Sequence, residues 1–308
     1  MSAPPTVSII IVNWNTADLL AGCLRSVAGS TSAPSETIVV DNASTDGSGE
    51  RVRREFPWVR LLPQTENLGF ARGSNVGLAA ASAPWLLLLN PDTVLRARAV
   101  DALVSFLART PAAGIAGPPL WNPDGSPQPS VQPFPTLGSE LLRQTMLHRV
   151  LPGRFGQEAR RRETRRVDVV TGAALCIRRE CYAAIGPLDE GIFMFYEDTD
   201  WCRRASDLGW EIWYVDGPGV VHAKGGASVG AAFTRSLLDS LRGTVHYFRK
   251  HGGASKVGWL RAIALLGASL RSVRALLLLA VGRRRVEQRA RLTAYARMIR
   301  WAVAGGEL

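Results

Sequence analysis

The sequence predicts an α/β protein built on a mostly parallel sheet with helices on its faces. Two observations support this fold class. Three short apolar runs, VSIIIV, TIVV and WLLLL, are continuous rather than alternating, which is typical of strands buried on both faces. These runs alternate with segments of helical character at roughly 25 to 30 residues per unit, as expected for parallel strands joined by helical crossovers.

The first third of the chain supplies most of the predicted sheet. A strand over residues 7–12 leads to a helix over 17–27, with Thr16 as its expected N-cap. The next predicted elements are a strand at 37–40, a helix at 49–55, a strand at 59–62, a helix at 67–81 and the central strand at 84–89. The central strand is stopped by Asn-Pro, which is typical of a turn.

The second half is less regular. Residues 118–166 are Pro-rich and then Arg-rich, which predicts a loop or insertion. Regular structure is expected again at 167–177, in a short helix at 179–185 and in a strand at 211–215. We therefore expect an α/β domain over residues 1–252, with an insertion at about 121–166, and a helical extension over 253–308.

Composition limits the class of protein. With 308 residues and 46% hydrophobic content, the chain can bury a large core without disulfides or a structural metal. The four cysteines form no C-x-x-C pair and no secretory signal precedes the first strand, so a reducing, cytoplasmic setting is expected. The net charge is +11, and the last 56 residues carry eleven Lys or Arg against two Glu. The basicity therefore belongs to the extension.

The loop after the first predicted strand argues against a dinucleotide-binding domain. Such a domain needs a glycine-rich turn there, so that a pyrophosphate can approach the helix N-terminus. Here residues 13–16 read NWNT and contain no glycine. Gly69, Gly73 and Gly77 instead recur every four residues along one predicted helix, a spacing that favours close packing of that helix against its neighbours.

Carboxylates follow two of the predicted strands. Ligands of open α/β sheets bind outside the carboxyl ends of the strands, which is where Asp41 and Asp92 fall. The alternative for the segment Asn90-Pro91-Asp92 is an ordinary turn, since all three residue types are common in turns. This stretch alone leaves both interpretations open.

Three further carboxylates, Glu197, Asp198 and Asp200, follow an aromatic run. Carboxylates in the first turn of a helix interact favourably with its dipole, and Asp200 fits that explanation because arginines lie three and four residues later. Aromatic residues flank Glu197 and Asp198, and an apolar wall would raise the pKa of a carboxylate toward the range of a general base. Both are therefore candidate catalytic residues.

His222 ends a short apolar run before Gly-Gly, a strand-terminal position that a metal ligand could use. A lone histidine is more often a structural residue. The local sequence does not decide between the two roles.

Residues 259–281 are long and apolar enough to suggest a membrane span, but Arg261, Arg271 and Arg274 interrupt them. An arginine at the bilayer centre costs at least about 2.5 kcal/mol on insertion scales, so a span is not expected. A basic amphipathic helix lying on an anionic membrane surface fits better. The alternative is a pair of helices packed on the α/β domain or on a second subunit in a homodimer.

Five motifs in order resemble those of glycosyltransferase family 2. They are VSIIIVNWN at 7–15, VVDNASTDGS at 39–48, NLGFARGSNVG at 67–77, LLLLNPD at 86–92 and the segment 186–203 that contains YED. The NPD and YED variants, with the segment 171–173, are most similar to bacterial rhamnosyltransferases of cell-envelope polysaccharide synthesis. The resemblance implies an inverting transferase of GT-A fold that uses a nucleotide-sugar donor.

The resemblance also implies a role for each matching residue. Asp198 would be the catalytic base, and Glu197 would orient the acceptor or tune its neighbour. Asp92 and His222 would hold a divalent cation, Mg²⁺ or Mn²⁺, with phosphate oxygens completing the coordination. Asn90 stands where the family often has the first aspartate of an Asp-x-Asp pair. The implied donor-binding residues are Asn13, Asp41, Asn67, Arg72, Asn90 and Asp92.

The reaction implied by the resemblance moves rhamnose from dTDP-rhamnose to a hydroxyl of a saccharide or of a polyprenyl-diphosphate-linked saccharide. Another UDP- or dTDP-linked sugar, or a catalytically silent nucleotide-sugar-binding protein, remains an alternative. The implied location is the cytoplasm, peripherally on the inner face of the plasma membrane.

Two other classes of protein fit the sequence less well. The positive charge suits a nucleic-acid-binding protein, but it occurs without an RNP, zinc or helix-turn-helix motif, so no nucleic-acid partner is expected. A nucleotidyltransferase that makes sugar nucleotides would carry a glycine-rich, basic triphosphate loop after its first strand. The NWNT segment is not such a loop.

Overall fold

The structure is a computed structural model, and it describes residues 4–147, 162–223, 230–281 and 285–305. The chain forms two compact units. The first, here called the sheet unit, comprises Met1–Phe134, Gln157–Phe193 and Glu197–Lys224. The second, here called the helical unit, comprises Pro135–Gly156, Met194–Tyr196 and Gly225–Leu308.

The described strands of the sheet unit form three sheets. In chain order they are β1 Val7–Asn13, β2 Ser35–Asp41, β3 Arg60–Pro63, β4 Trp85–Leu89, β5 Thr93–Leu95, β6 Ala113–Gly117, β7 Leu120–Trp121, β8 Pro127–Gln128, β9 Val131–Gln132, β10 Arg165–Arg166, β11 Val169–Val170, β12 Ala174–Arg178, β13 Glu211–Tyr214 and β14 Val220–His222. Among the described residues, the largest sheet has the order β10-β13-β6-β12-β4-β1-β2-β3. A smaller sheet has the order β5-β14-β7-β8, and β9 pairs with β11.

The large sheet is mostly parallel. Strand β1 runs parallel to both β2 and β4, and β2 runs parallel to β3. Strand β12 is inserted antiparallel between β4 and β6. The predicted α/β fold class is therefore confirmed.

Helices accompany both units. In chain order they are α1 Ala17–Val27, α2 Ser48–Glu55, α3 Gly69–Ala80, α4 Ala99–Arg109, α5 Leu137–Gln144, α6 Arg179–Ile185, α7 Glu197–Asp207, α8 Gly230–Ala280 and α9 Arg285–Ala304. Helices α5, α8 and α9 belong to the helical unit. Each helix and strand predicted individually before residue 90 lies within two residues of its observed bounds, because strong apolar periodicity marks these elements.

The continuous apolar runs are buried as predicted. Every residue of β1 is buried, and so is β4 from Leu86 to Leu89. Side chains on the two faces of β1 belong to two separate hydrophobic clusters, with Ile9 and Ile11 in one and Ile10 in the other. The strand is apolar throughout because both faces of the sheet are covered.

The start of α1 differs from the prediction in one detail. Thr16 precedes the helix, but its side chain does not cap it. The Thr16 hydroxyl donates to Asn13 Oδ1 at 2.6 Å, and the Ala17 amide donates instead to Asp46 Oδ2 at 2.9 Å. The carboxylate comes from the neighbouring strand–helix loop, so the first turn of α1 is tied to the end of β2.

The glycine spacing in α3 has the predicted role. A Cβ atom on Gly73 would lie 2.9 Å from Val12 Cγ1, and one on Gly77 would overlap Ile10 Cγ2. Helix α3 therefore packs directly on β1 through these glycines.

The segment predicted as a loop or insertion contains regular structure. It includes β7, β8, β9 and α5, the last with a capping box formed by Thr136 and Ser139. Strands of two residues have no periodicity that a sequence can show, which explains the difference. The Arg-rich part over 148–161 lies outside the described residues.

The four cysteines, Cys23, Cys176, Cys181 and Cys202, are buried and form no disulfide. Burial raises the pKa of each thiol, to about 12 for the first three. A neutral buried thiol is a poor nucleophile, so these residues act as small hydrophobic side chains.

The helical unit is built around a long helix with a break. Helix α8 has a non-helical residue at Gly253 (φ 77°, ψ 175°). After the break, one face of α8 contributes Leu260, Ala264 and Ala268 to a core shared with Met298 of α9. Glycine permits the positive φ that this break requires.

The opposite face of α8 carries a row of exposed apolar side chains, here called the apolar stripe. Its members are Trp259, Leu266, Leu270, Val273, Leu277 and, just after the helix, Val281, with exposed fractions between 45% and 69%. The spacings of seven, four, three, four and four residues place them on one helical face.

Two of the arginines that interrupt the apolar sequence of α8 are directed into their own unit. Arg261 donates to the carbonyl oxygens of Ala302 and Val303, and Arg271 lies over the ring of Tyr295. Arg261 and Arg271 therefore do not interrupt the apolar stripe. Among the described residues, one helix is sufficiently long and apolar to cross a membrane, and it covers Phe233–Ala280. Its apolar 18-residue stretch has a mean hydropathy of 1.8 and is 22% buried.

Candidate active site

Polar side chains collect at one edge of the large sheet. Strands β1, β2 and β4 are parallel, so their carboxyl ends lie at the same edge. Asn13 and Asp41 are partners in register at the ends of β1 and β2, and the segment 90–92 follows the end of β4. This is where a doubly wound sheet binds its ligands.

The residues at the ends of β1 and β2 form a hydrogen-bonded group. Asn13 donates through Nδ2 to Asp41 Oδ1 at 3.1 Å and to Ser44 Oγ at 3.0 Å. Asn13 and Asp41 are buried. An oriented carboxylate in this position can accept hydrogen bonds from a nucleobase N–H or from ribose hydroxyls.

The other predicted donor-binding residues have local roles in the structure. Asn67 Oδ1 accepts a hydrogen bond from the Gly69 amide at the start of α3, at 2.9 Å. Arg72 Nε lies 3.7 Å from Glu190 Oε2, and both side chains are about half exposed. The carbonyl oxygen of Asn90 accepts the hydroxyl of Thr93 at 2.6 Å. These contacts leave the exposed Arg72 guanidinium accessible to an anionic ligand.

Asp92 and His222 are brought together although 130 positions separate them. Strand β14 pairs with β5 so that His222 lies opposite Thr93, and His222 Nε2 is 3.3 Å from Asp92 Oδ1. The other ring nitrogen, Nδ1, is 2.7 Å from Gln128 Oε1. The structure thus joins the two residues that the sequence assigned to a metal.

The segment 171–173 links this pair to the predicted catalytic carboxylates. The Asn90 amide donates to the Ala173 carbonyl oxygen at 3.0 Å, and the Gly172 amide donates to Asp198 Oδ2 at 2.8 Å. The loop after β4 and the start of α7 are therefore connected through one short segment. Gly172 is a site residue whose role the sequence motif did not specify.

Glu197 and Asp198 differ in hydrogen bonding. Asp198 accepts the Gly172 amide and, through Oδ1, the amide and hydroxyl of Thr199 at 2.6 and 3.1 Å. Glu197 Oε2 is buried and has no hydrogen-bond partner among the described residues. The Gly172 and Thr199 amides stabilise the charged form of Asp198, whereas no such donor reaches Glu197 Oε2 among the described residues.

The pKa values of both carboxyl groups are raised, but the interactions that raise or oppose the shift differ between them. Burial raises the pKa of Glu197, and the neighbouring charge of Asp198 raises it further. Burial also raises the pKa of Asp198, while the hydrogen bonds from Gly172 and Thr199 oppose the rise. The raised pKa values and the charge of Asp198 beside Glu197 disfavour ionisation of both carboxyl groups at once. The amide donors favour the charged form of Asp198 over that of Glu197.

Backbone strain directly precedes these carboxylates. Phe195 and Tyr196 both have positive φ, at 69° and 76°, which is uncommon for residues other than glycine. Such conformations cost of order 1–3 kcal/mol each and cluster at functional sites. Asp200 has a structural role, as one interpretation of the sequence expected, because it pairs with Arg204 at 2.9 Å.

The pair of Asp92 and His222 fits a divalent cation. A carboxylate oxygen and an imidazole nitrogen 3.3 Å apart, both mostly buried, are two ligand atoms of the kind that Mn²⁺ accepts. Among the described residues there is no group of three or more His, Cys, Asp or Glu side chains that could hold a metal. The protein would thus supply two ligands and leave the remaining positions to diphosphate oxygens or water.

The fold and the site define an α/β enzyme whose functional groups lie at the carboxyl edge of its sheet. The family model described as "Glycosyltransferase like family 2" matches residues 4–243, a range that contains every site residue above. The chain therefore belongs to glycosyltransferase family 2, and it is a glycosyltransferase.

Curated relatives and a solved structure agree with this membership. The chain is 32% identical over 236 residues to an N-acetylglucosaminyl-diphospho-decaprenol L-rhamnosyltransferase of Mycobacterium tuberculosis, which covers 70% of this chain and 75% of the relative. It is 27% identical over 203 residues to a low-salt glycan biosynthesis hexosyltransferase of Haloferax volcanii. That match covers 65% of this chain and 61% of the relative.

The fold is similar to that of a mannosyltransferase from Pyrobaculum calidifontis solved in complex with GDP-Man and Mn²⁺. The TM-score is 0.56 at 18% identity, over 98% of this chain and 89% of the other. The GT-A fold expected from the sequence motifs is confirmed.

Proposed function

We propose that the protein transfers rhamnose from dTDP-rhamnose to a hydroxyl of a lipid-linked saccharide, with inversion at the anomeric carbon. The observation that carries this proposal is the hydrogen-bonded Asp198 carboxylate, which is linked through residues 171–173 to the loop that bears Asp92. The choice of rhamnose and of a polyprenyl-diphosphate acceptor is supported by the name of the mycobacterial relative.

Asp198 acts as the general base. Its carboxylate takes the proton from the acceptor hydroxyl, whose oxygen forms a bond to the anomeric carbon as the bond to the diphosphate oxygen breaks. The electron pair of that bond leaves with the nucleoside diphosphate. This reaction needs one base and no protein nucleophile. Glu197 stays protonated, because its burial and the adjacent Asp198 charge raise its pKa.

Asp41 and Asn13 hold the nucleoside, and Arg72 contacts the diphosphate. The Asp41 carboxylate accepts hydrogen bonds from the base or ribose, in an orientation fixed by Asn13 Nδ2. A guanidinium suits a diphosphate because its donors form a planar fork. Asn67 shapes this subsite through its side-chain oxygen, which accepts the Gly69 amide, and Asn90 through its backbone carbonyl oxygen, which accepts the Thr93 hydroxyl.

Asp92 and His222 hold a divalent cation, Mg²⁺ or Mn²⁺. When bound, the cation neutralises the negative charge that develops on the departing nucleoside diphosphate. Asn90 in place of a second aspartate leaves fewer protein charges, so cation binding depends on the donor. We expect excess chelator to abolish transfer, and activity that persists in chelator would contradict this role of Asp92 and His222.

A thermal-shift panel tests the donor. UDP-, dTDP- and GDP-sugars are compared with and without Mg²⁺ or Mn²⁺, since a ligand that binds the native state raises its melting temperature by mass action. We expect the largest rise for dTDP-rhamnose with metal. A larger rise in melting temperature with a UDP- or GDP-sugar would contradict dTDP-rhamnose as the donor and would indicate that sugar nucleotide instead.

Product formation separates a transferase from a silent binder. The purified protein is incubated with dTDP-rhamnose, Mg²⁺ and a short-chain polyprenyl-diphosphate-linked N-acetylglucosamine, and the lipid is analysed by mass spectrometry. We expect addition of one deoxyhexose residue. Binding without product for every donor and acceptor in the panel would favour a nucleotide-sugar-binding protein.

The apolar stripe of the helical unit is the proposed contact with an anionic membrane surface. One face of α8 is already occupied by the core around Leu260, Ala264 and Ala268, so the helix has only its opposite face free to enter lipid. A helix with one apolar face lies in the membrane plane rather than across it. Exposed basic residues such as Lys256, Arg274 and Arg289 give charge complementarity to anionic lipids.

This contact would place the enzyme peripherally on the inner face of the plasma membrane, where a lipid-linked acceptor is present. The alternative occupant of the apolar stripe is a second copy of the chain. Light scattering of the purified protein distinguishes the two, since a stable dimer formed through the stripe would hide these side chains from lipid.

A further inference from the structure

Gln128 of β8 is a buried polar residue that the proposed reaction does not use. Its side chain makes three hydrogen bonds, all within the sheet unit. Nε2 donates to Asn122 Oδ1 at 2.8 Å and to the backbone carbonyl oxygen of His222 at 3.2 Å. Oε1 lies 2.7 Å from His222 Nδ1. The amide therefore contacts the imidazole ring and the backbone of the same histidine.

These contacts fix which end of the amide faces the ring. A backbone carbonyl oxygen can only accept a hydrogen bond, so the atom that faces the His222 carbonyl is the amide nitrogen. Asn122 reinforces this orientation, because its own Nδ2 donates to Ser126 Oγ and leaves Oδ1 for Gln128. The oxygen of Gln128 is consequently the atom that faces the ring.

An amide oxygen has no proton to give, so His222 Nδ1 must carry the hydrogen of this bond. In a neutral imidazole one nitrogen is the donor and the other is an acceptor. The lone pair then lies on Nε2, the nitrogen that is 3.3 Å from Asp92 Oδ1. Without Gln128 the proton could occupy either nitrogen, and only one of the two tautomers leaves Nε2 available to a cation.

We infer that Gln128 is a positioning residue that fixes His222 in the Nδ1–H tautomer and so prepares His222 and Asp92 as a pair of cation ligands. The inference rests on the cation role proposed above for Asp92 and His222. Outer hydrogen-bond partners of metal-binding histidines typically change metal affinity by 10- to 100-fold when they are removed. Gln128 itself touches neither substrate nor reacting atoms.

The first test is nitrogen NMR of the metal-free protein. The ¹⁵N shifts of His222, at a pH where the ring is neutral, report which nitrogen carries the proton. We expect the Nδ1–H form in the wild type and a mixture of tautomers in Gln128→Leu. Gln128→Glu keeps an acceptor for Nδ1–H and should restore the single tautomer. An unchanged tautomer in Gln128→Leu would overturn the inference.

The second test is titration of Mn²⁺ by electron paramagnetic resonance in the presence of the nucleoside diphosphate. We expect Gln128→Leu to weaken Mn²⁺ binding by about 10- to 100-fold and Gln128→Glu to restore it. Gln132→Leu is the matched control, since Gln132 lies nearby in β9 but donates to Thr199 rather than to His222. An equal loss in both leucine variants would show a general structural effect and would overturn the inference.

A third variant separates failure of this inference from failure of the proposed cation site. If His222→Ala binds Mn²⁺ as tightly as the wild type, the cation role of His222 is wrong, and the prepared ligand pair is wrong with it. If His222→Ala loses Mn²⁺ while Gln128→Leu retains both the affinity and the tautomer, the cation site stands and only the role of Gln128 fails.

Discussion

At the scale of single residues, Glu197 and Asp198 differ in the hydrogen bonds that their carboxyl groups accept. Asp198 accepts two backbone amides and the Thr199 hydroxyl, while Glu197 Oε2 has no partner among the described residues. We therefore expect these two carboxyl groups, adjacent in the chain, to have different roles, because Asp198 is better stabilised as an anion than Glu197.

This difference predicts opposite results for two isosteric substitutions. Asp198→Asn removes the base, and we expect turnover to fall by about 10²- to 10⁴-fold. Glu197→Gln replaces a group that is already neutral, so we expect turnover within a few-fold of the wild type at pH 7. Initial rates at saturating donor measure both. A larger loss in Glu197→Gln than in Asp198→Asn would reverse the assignment.

The raised pKa of Glu197 also predicts a pH-dependent stability. Its pKa in the folded protein lies above the ordinary value of 4.5, because burial and the charge of Asp198 oppose ionisation. As the pH rises above 4.5, the unfolded state loses this proton before the folded state does, so folding stability falls. Glu197→Gln has no such proton to lose.

We therefore expect the melting temperature of Glu197→Gln minus that of the wild type to grow as pH rises from 4.5 through the raised pKa, and then to level off. Differential scanning calorimetry from pH 4 to 9 measures it. Asp207→Asn is a suitable control, since Asp207 is a half-exposed carboxylate on the same helix. A difference that does not change with pH would contradict the assignment.

The sequence indicated candidate site residues at strand ends, but it did not indicate the residues that contact them. Asp92 and His222 each follow an apolar run, which placed them at predicted strand ends, and the resemblance to glycosyltransferase family 2 implied their metal role. Gln128 gave no such signal, since it lies among prolines in a segment predicted as a loop. Its partner is 94 positions away, and only the pairing of short strands brings them together.

At the scale of elements, α3 is placed by glycines that allow contact with β1. A Cβ atom on Gly77 would overlap Ile10 Cγ2, although its backbone is ordinary helix. Overpacking of this kind costs about 1–3 kcal/mol. The spacing of Gly69, Gly73 and Gly77 in the sequence predicted this packing.

We expect Gly77→Ala to lower the free energy of unfolding by about 1–3 kcal/mol, measured by urea denaturation. Gly22→Ala is the matched control, because Gly22 lies within α1 and a Cβ there would meet no atom within 4 Å. That change should raise the free energy of unfolding by about 1 kcal/mol through helix propensity. Equal effects of the two substitutions would show that α3 does not pack on β1 through Gly77.

Elements were predictable where the apolar pattern was long. Helix α1 and strands β1 and β4 carry such patterns and were located within two residues. The two-residue strands β7, β8 and β9 were not, because their pairing depends on distant partners. The orientation of Arg261 was also hidden, since the carbonyl oxygens that it contacts belong to α9.

At the scale of the whole molecule, the helical unit presents a row of exposed apolar side chains on one face of α8. About half of each side chain at Leu266, Leu270 and Leu277 is accessible to solvent. Transfer of such surface to lipid is favourable, and replacing the three leucines by serine removes roughly 0.8 kcal/mol each.

We expect the triple variant Leu266→Ser, Leu270→Ser and Leu277→Ser to bind anionic vesicles about 50-fold more weakly than the wild type. Flotation with phosphatidylglycerol vesicles measures the change. Leu208→Ser is the control, because Leu208 is 60% exposed in the sheet unit. Wild-type protein that fails to float would contradict the membrane contact.

Extraction distinguishes a helix that lies on the membrane from one that crosses it. Alkaline carbonate should release the wild-type protein from cell membranes if α8 lies in the plane of the surface. Retention after carbonate would instead favour a span by the apolar window within Phe233–Ala280.

The burial of all four cysteines gives the molecule no thiol that a water-soluble maleimide would readily modify in its native state. A single Leu270→Cys substitution would then create one addressable position on the surface of α8. An environment-sensitive fluorophore attached there would report whether the position enters lipid. A spin label at the same position would give its immersion depth from the label's relative accessibility to oxygen and to a water-soluble nickel complex. The native protein therefore serves as the unlabelled control, and no existing cysteine has to be removed first.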